Sequence, residues 1–183
     1  MALSRQDILA HPQLHDLIQV QSRTLVESFE MDKRLSATFA TQQRWLMSHI
    51  ALSLYFNGLR ENEGLRLSKF LAAVEHHRIA SRNTADSFIK EMIRYKYVTV
   101  VTDPADRRYR PLIPSETVMA TFLNWLAVHF ITLDGLDGGE RLALLQADPS
   151  LAGRIQPMIA DGLLHATAVR NPEKTFSLFT WLD

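Results

Sequence analysis

Arg82, Asn83, Lys90, Arg107, Arg108 and Arg110 fall in one short stretch, residues 81–116, SRNTADSFIKEMIRYKYVTVVTDPADRRYRPLIPSE. Arg pairs bidentately with guanine and Asn with adenine, and Lys and Arg neutralise phosphates, so the stretch has the chemistry to recognise a duplex. Other chemistries are less well served. There is no Gly-x-Ser-x-Gly, no phosphate-cradling Gly loop and no His-Glu-x-x-His, so no enzyme activity is expected. Seven His residues raise the question of a metal. However, His11 and His15 flank Pro12, and the adjacent His76 and His77 cannot face together on a helix. No carboxylate or Cys completes a ligand set, so surface histidines are the better account and neither metal nor cofactor is expected.

The elements that must position these groups can be read from the same stretch. Ser81 is a good N-cap, and Ala85, Phe88, Ile89, Met92 and Ile93 recur at spacings of three and four, which predicts a helix over 81–95 with one apolar face. Residues 97–101 are rich in strand formers, Asp103-Pro104-Ala105-Asp106 is a turn signal, and a second strand follows to 113. A polar-faced helix beside an Arg-tipped hairpin suits a major groove flanked by backbone or minor groove.

Upstream, helices are expected over 12–33, over 41–58 with Asn57-Gly58 as its stop, and over 67–76 with Ser68 as its cap. A very apolar helix is expected over 115–133, followed by the linker Asp134–Gly139. The tail echoes the first unit. Ile89-x-x-Met92-Ile93-x-x-x-Tyr97-Val98 matches Ile155-x-x-Met158-Ile159-x-x-x-Leu163-Leu164, and a helix over 150–161 with strands 163–169 and 175–181 would make a second hairpin turning at Asn171–Lys174. A competing reading makes Asn171-Pro172 the cap and first turn of a closing helix over 173–182.

The 183 residues carry 20 basic and 20 acidic side chains, which argues against indiscriminate nucleic-acid binding. The distribution is uneven: residues 67–110 hold nine basic and five acidic residues, and residues 111–183 hold four basic and eight acidic. The basic excess coincides with the helix and hairpin. A hydrophobic content of 46% permits a sizeable core, and the lack of Cys excludes disulfides and thiolate sites. No run approaches a membrane span and no signal peptide is read at the start, so no membrane partner is expected and the cytoplasm is the expected compartment.

The order helix 41–58, helix 67–76, helix 81–95, hairpin 97–113 resembles a winged helix-turn-helix. More narrowly it resembles the bacterial multiple-antibiotic-resistance-repressor (MarR-type) regulators. Ser81-Arg82-Asn83-Thr84 is similar to that family's recognition-helix start, and Asp103-Pro104-Ala105-Asp106-Arg107-Arg108 to its wing. The resemblance covers about 36 of the 183 residues. It implies wing contacts from Arg107 and Arg108, and a groove-facing side made of Ser81, Arg82, Asn83, Thr84 and Ser87. It also implies a homodimer paired through helices at both ends and, for some members, an aromatic-lined effector pocket. Trp45, Phe56, Phe122, Trp125 and Phe130 would be available for that pocket, although helical spacing favours core packing for them. The chain departs from the family where Glu75-His76-His77-Arg78-Ile79-Ala80 replaces a shorter, Gly-containing turn, and where Pro111 interrupts the returning strand.

The expected fold is therefore mainly α with small β-hairpin wings (α+β), a winged helix-turn-helix with two in tandem. Its parts are an N-terminal helical arm over 1–40, a DNA-binding domain over 41–114, and a second winged-helix-like domain for dimerisation or partner binding over 115–183. The expected function is a sequence-specific transcriptional regulator that binds double-stranded DNA. Phosphate contacts would come from Lys69, Arg78, Lys90, Arg107 and Arg110, and base contacts from Arg82 and Asn83. The Asp106 carboxylate would orient the Arg108 guanidinium. The rival reading is a tandem winged-helix interaction module without DNA binding.

Overall fold

The structure is a computed structural model that describes residues 4–61, 63–102 and 110–170. The protein is mainly helical with one small antiparallel sheet. Its described residues form two compact units, one within the bounds Met1–Ala40 and Ser115–Ala152, the other within Thr41–Pro114 and Gly153–Asp183.

In the second of these, α4 (Gln42–Arg60) starts at Thr41, whose hydroxyl accepts from the Arg44 backbone N–H. It does not stop at Asn57-Gly58 as expected but continues to Arg60. Gly58 is there for a close approach: a Cβ on it would lie 2.3 Å from the Gly64 carbonyl oxygen. The Gly58 carbonyl accepts from the backbone N–H groups of Glu63 (2.8 Å) and Gly64 (3.2 Å), and Gly64 turns the chain at φ +62°. Leu65, 1% exposed, then forms a single antiparallel bridge with Leu112. Helix α5 (Leu67–His76) follows, capped at Arg66 without a side-chain hydrogen bond rather than at Ser68. Helix α6 (Arg82–Arg94) is capped by Ser81, as expected. Strands β1 (Val98–Val100) and β2 (Leu112–Pro114) pair with Val98 opposite Pro114 and Val100 opposite Leu112. The returning strand thus begins just after Pro111, whose missing N–H it does not need.

Helix α9 (Leu151–His165) enters this unit at Gly153, and α10 (Thr167–Arg170) follows it. The strand expected over 163–169 is therefore helical on both sides of Ala166. Leu and Ala are good helix formers, and nothing local stops α9 before His165. The proposed echo of α6 fails in packing too: Met92 is buried, whereas Met158 is 74% exposed. The expected turn at 171–174, the strand 175–181 and the competing helix 173–182 lie outside the described residues. Pro157 removes the N–H that would bond the Gly153 carbonyl, and the Arg60 guanidinium donates to that carbonyl instead, at 3.2 Å. A Cβ on Gly153 would meet the Phe56 ring at 2.8 Å.

The core of this unit gathers Phe70, Val74, Ala85, Ile89, Met47 and Leu65, all essentially inaccessible. The Phe70 and Phe88 rings stack at 6.2 Å. Full burial of such a side chain stabilises by about 1.5–3 kcal/mol. One histidine corrects the expectation of surface positions. His49 is 4% exposed, its Nδ1 lies 3.0 Å from Nε2 of the fully buried Gln156, and its ring meets Trp45 edge-on.

The other unit contains α1 (Arg5–Ala10), α2 (Leu14–Met31), α3 (Lys33–Phe39), α7 (Glu116–Asp137) and α8 (Arg141–Ala147). Ser4 and Asp7 form a capping box on α1, and Ser115 caps α7. Helix α7 packs on α2 and α8 and runs through the expected linker, ending only at Gly138 in the left-handed region. Acidic residues at a helix C-terminus oppose its dipole, and here Arg141 offsets them. Its guanidinium reaches Asp134 at 2.9 Å and Asp137 at 2.5 Å, while Asp134 also accepts from the Arg141 and Leu142 backbone N–H groups. The Arg141 hydrogen bond holds the Asp137 carboxyl down to about 2. Burial opposes ionisation of Asp134, but its backbone and Arg141 hydrogen bonds outweigh this and lower its pKa. Contrary to the sequence expectation, α7 is long and apolar enough to cross a membrane by length and composition.

Candidate nucleic-acid interface

The site is built on α6. Its first turn is held by Ser81, whose hydroxyl accepts from the Thr84 N–H at 3.2 Å and lies 2.9 Å from the Thr84 hydroxyl. Ala85, Phe88, Ile89 and Met92 are buried against the core, and this fixes which way the helix faces. Ser81, Arg82, Asn83, Thr84, Ser87 and Lys90 are exposed, with Asn83, Ser87 and Lys90 opposite the buried face and the others at the helix start, so one helix brings together six of the residues singled out from sequence. The Thr84 hydroxyl is engaged with the cap, which leaves Arg82, Asn83 and Ser87 as the neutral-to-cationic hydrogen-bonding set of the first two turns. Lys90 is 2.6 Å from Asp86, one turn back.

Two contacts that sequence reasoning missed anchor this helix. Arg44 of α4 pairs with Glu91 at 3.0 Å and lies 5.2 Å from the centre of the Phe88 ring. Gln43 donates to the Ile79 carbonyl at 2.9 Å, which ties α4 to the turn that enters α6. Both pairs are distant in sequence, and no periodicity signals them.

That turn explains the departure from a Gly-containing connection. Ile79 N–H bonds the Val74 carbonyl and Arg78 N–H bonds that of Glu75, so α5 ends in a Schellman motif with Arg78 at the left-handed position, φ +52°. The end of α6 repeats the device. Tyr97 N–H bonds the Met92 carbonyl, Lys96 N–H bonds that of Ile93, and Lys96 sits at φ +60°. Glycine is the low-strain choice at such positions, and here both hold exposed cations. Lys96 was not among the sequence candidates, since its signal is conformational.

The remaining candidates separate. Lys69 on α5 lies 2.5 Å from Glu63 and 3.7 Å from Glu61. The Glu63 hydrogen bond holds the ammonium above its ordinary value and the carboxyl below its own. Arg110 is exposed just before β2. Asp106, Arg107 and Arg108 lie outside the described residues. Among the described residues no three His, Asp or Glu side chains converge as a metal ligand set. Comparison with protein-family models, curated proteins and solved structures found no match to this chain.

Proposed function

We propose that this chain is a sequence-specific DNA-binding transcriptional regulator, with a winged helix-turn-helix of the multiple-antibiotic-resistance-repressor type over 41–114. The observation that carries the reading is the division of α6 between a side buried in the core and exposed polar residues, Arg82 at its start and Asn83, Ser87 and Lys90 on the far side. Support also comes from the element order around it. Helix α4, the Leu65–Leu112 bridge, α5, α6 and the β1–β2 hairpin follow one another as a winged helix requires. At about 1.5 Å per residue, α6 spans roughly 20 Å, enough to lie in a major groove. In this reading Arg82 and Asn83 meet base edges. Arg78, Lys90, Arg110 and the wing residues Arg107 and Arg108 meet phosphates.

The regulator works as a homodimer. Helix α2 buries no residue completely and leaves Ile18, Val20, Val26 and Met31 exposed at 48%, 51%, 62% and 89%. A second copy would cover part of this apolar surface, and a two-fold pair would read half-sites about one helical turn apart.

The test is selection of bound duplexes from a random pool, followed by titration at several salt concentrations. A regulator enriches a discrete motif, and its affinity falls steeply with salt. The rival, a protein-interaction module, draws on the carboxylates already paired with Lys69 and Lys90. It is favoured if no duplex is enriched even at low salt.

A further inference from the structure

A cavity of about 230 Å³ lies between α4, α5 and α9, within the unit that carries α6. We propose that it binds a small primary amine bearing one apolar ring. An apolar cavity of about 150 Å³ admits benzene, so this volume holds one ring with a short chain. Ile50, Leu54, Pro157 and Leu164 supply apolar wall for the ring. Ser53 and Asn57 stand one turn apart on α4, both half-buried, and neither side chain has a hydrogen-bond partner among the described residues. Their oxygens are acceptors for an ammonium. The charge of the wall selects the head group. Asp161 is its one carboxylate, and no Lys or Arg lines it. His77 also lines the wall, its ring 6.0 Å from that of His165, which in turn lies 3.3 Å from Asp161. None of Trp45, Phe56, Phe122, Trp125 and Phe130 lines this cavity, so it is not the aromatic pocket read from the sequence.

The site does not depend on the duplex reading and is tested without DNA. The full chain, labelled at Ile and Leu methyls and at side-chain amides, is titrated with benzylamine, benzyl alcohol and benzoate. Benzylamine should shift Ile50, Leu54, Leu164 and the Asn57 amide together. Benzyl alcohol should bind about fivefold more weakly, and Asp161→Asn should weaken benzylamine by a similar factor, as expected for one exposed charge. Asp161 is exposed, so this variant is expected to fold normally. The proposal is overturned by silence of these resonances, by benzoate matching benzylamine, or by an Asp161→Asn variant that binds benzylamine unchanged.

Discussion

Gly58→Ala and Gly162→Ala make the same chemical change inside two helices and should have opposite signs. Replacing Gly by Ala in a helix interior ordinarily stabilises by about 1 kcal/mol. At Gly162 nothing lies within 4 Å of the new Cβ, so that gain should appear nearly in full. At Gly58 the new Cβ would lie 2.3 Å from the Gly64 oxygen and 2.6 Å from its carbonyl carbon. These are backbone atoms, and no rotamer change relieves the contact. Overpacking of this kind costs about 1–3 kcal/mol. Moving Glu63 and Gly64 away also weakens their bonds to the Gly58 carbonyl, at about 1 kcal/mol for the two together. After the helical gain is subtracted, Gly58→Ala should destabilise by about 2 kcal/mol. The two variants then differ by about 3 kcal/mol, or roughly 6–12 °C in Tm for a chain of this size. Urea titrations followed by circular dichroism and Trp fluorescence give the comparison. If Gly58→Ala is as stable as Gly162→Ala, the approach of Gly64 to α4 is wrong.

Arg78→Gly and Lys96→Gly should each raise stability by about 0.5–1 kcal/mol, because glycine carries no penalty in the left-handed region. If the duplex reading holds, both should weaken DNA binding, and a stability gain without any loss of affinity would remove them from the interface. Arg82→Ala should relax base preference at one position by about 1–3 kcal/mol, whereas Arg110→Ala should weaken all sequences alike and shallow the salt slope by about one. The Arg141 cluster predicts an acid limb. The Asp137 pKa is lowered from 3.8 to about 2 on folding, so its contribution is present above the unfolded value and is lost as pH falls through the folded one. Urea midpoints from about pH 5 to about pH 2 should therefore fall more steeply for the wild type than for Arg141→Met, and equal slopes would refute this. Light scattering at micromolar concentration should give twice 20.9 kDa, and a clean monomer would exclude the proposed pairing through α2.

Where local signals sufficed, the sequence was legible. Ser81 followed by Ala85, Phe88, Ile89 and Met92 at spacings of three and four is a cap and a face that need no tertiary information, and the structure has both. Asp134–Gly139 misled because acids and glycines usually mark solvated linkers. What keeps α7 helical there is Arg141, which lies beyond the helix and reaches back to both carboxylates. The turn signal after Leu163–Val169 and its likeness to the first unit point to a strand, although its Leu and Ala residues extend α9 just as well. His49 looked like any surface histidine, since its partner Gln156 is remote in sequence. For the interface, exposure along α6 could be read from periodicity. The left-handed Arg78 and Lys96 could not, because backbone strain leaves no compositional trace.

The unit that carries α6 is assembled from two segments separated by residues 115–152, which belong to the other unit. During synthesis at about 5–20 residues per second, the second segment follows the first by roughly 2–8 s. Through that interval His49 lacks Gln156 and Phe56 lacks the close approach of Gly153, so part of α4 stays uncovered on the nascent chain. The Arg82–Lys90 side of α6 lies wholly within the earlier segment, so it is displayed before the unit that supports it is complete.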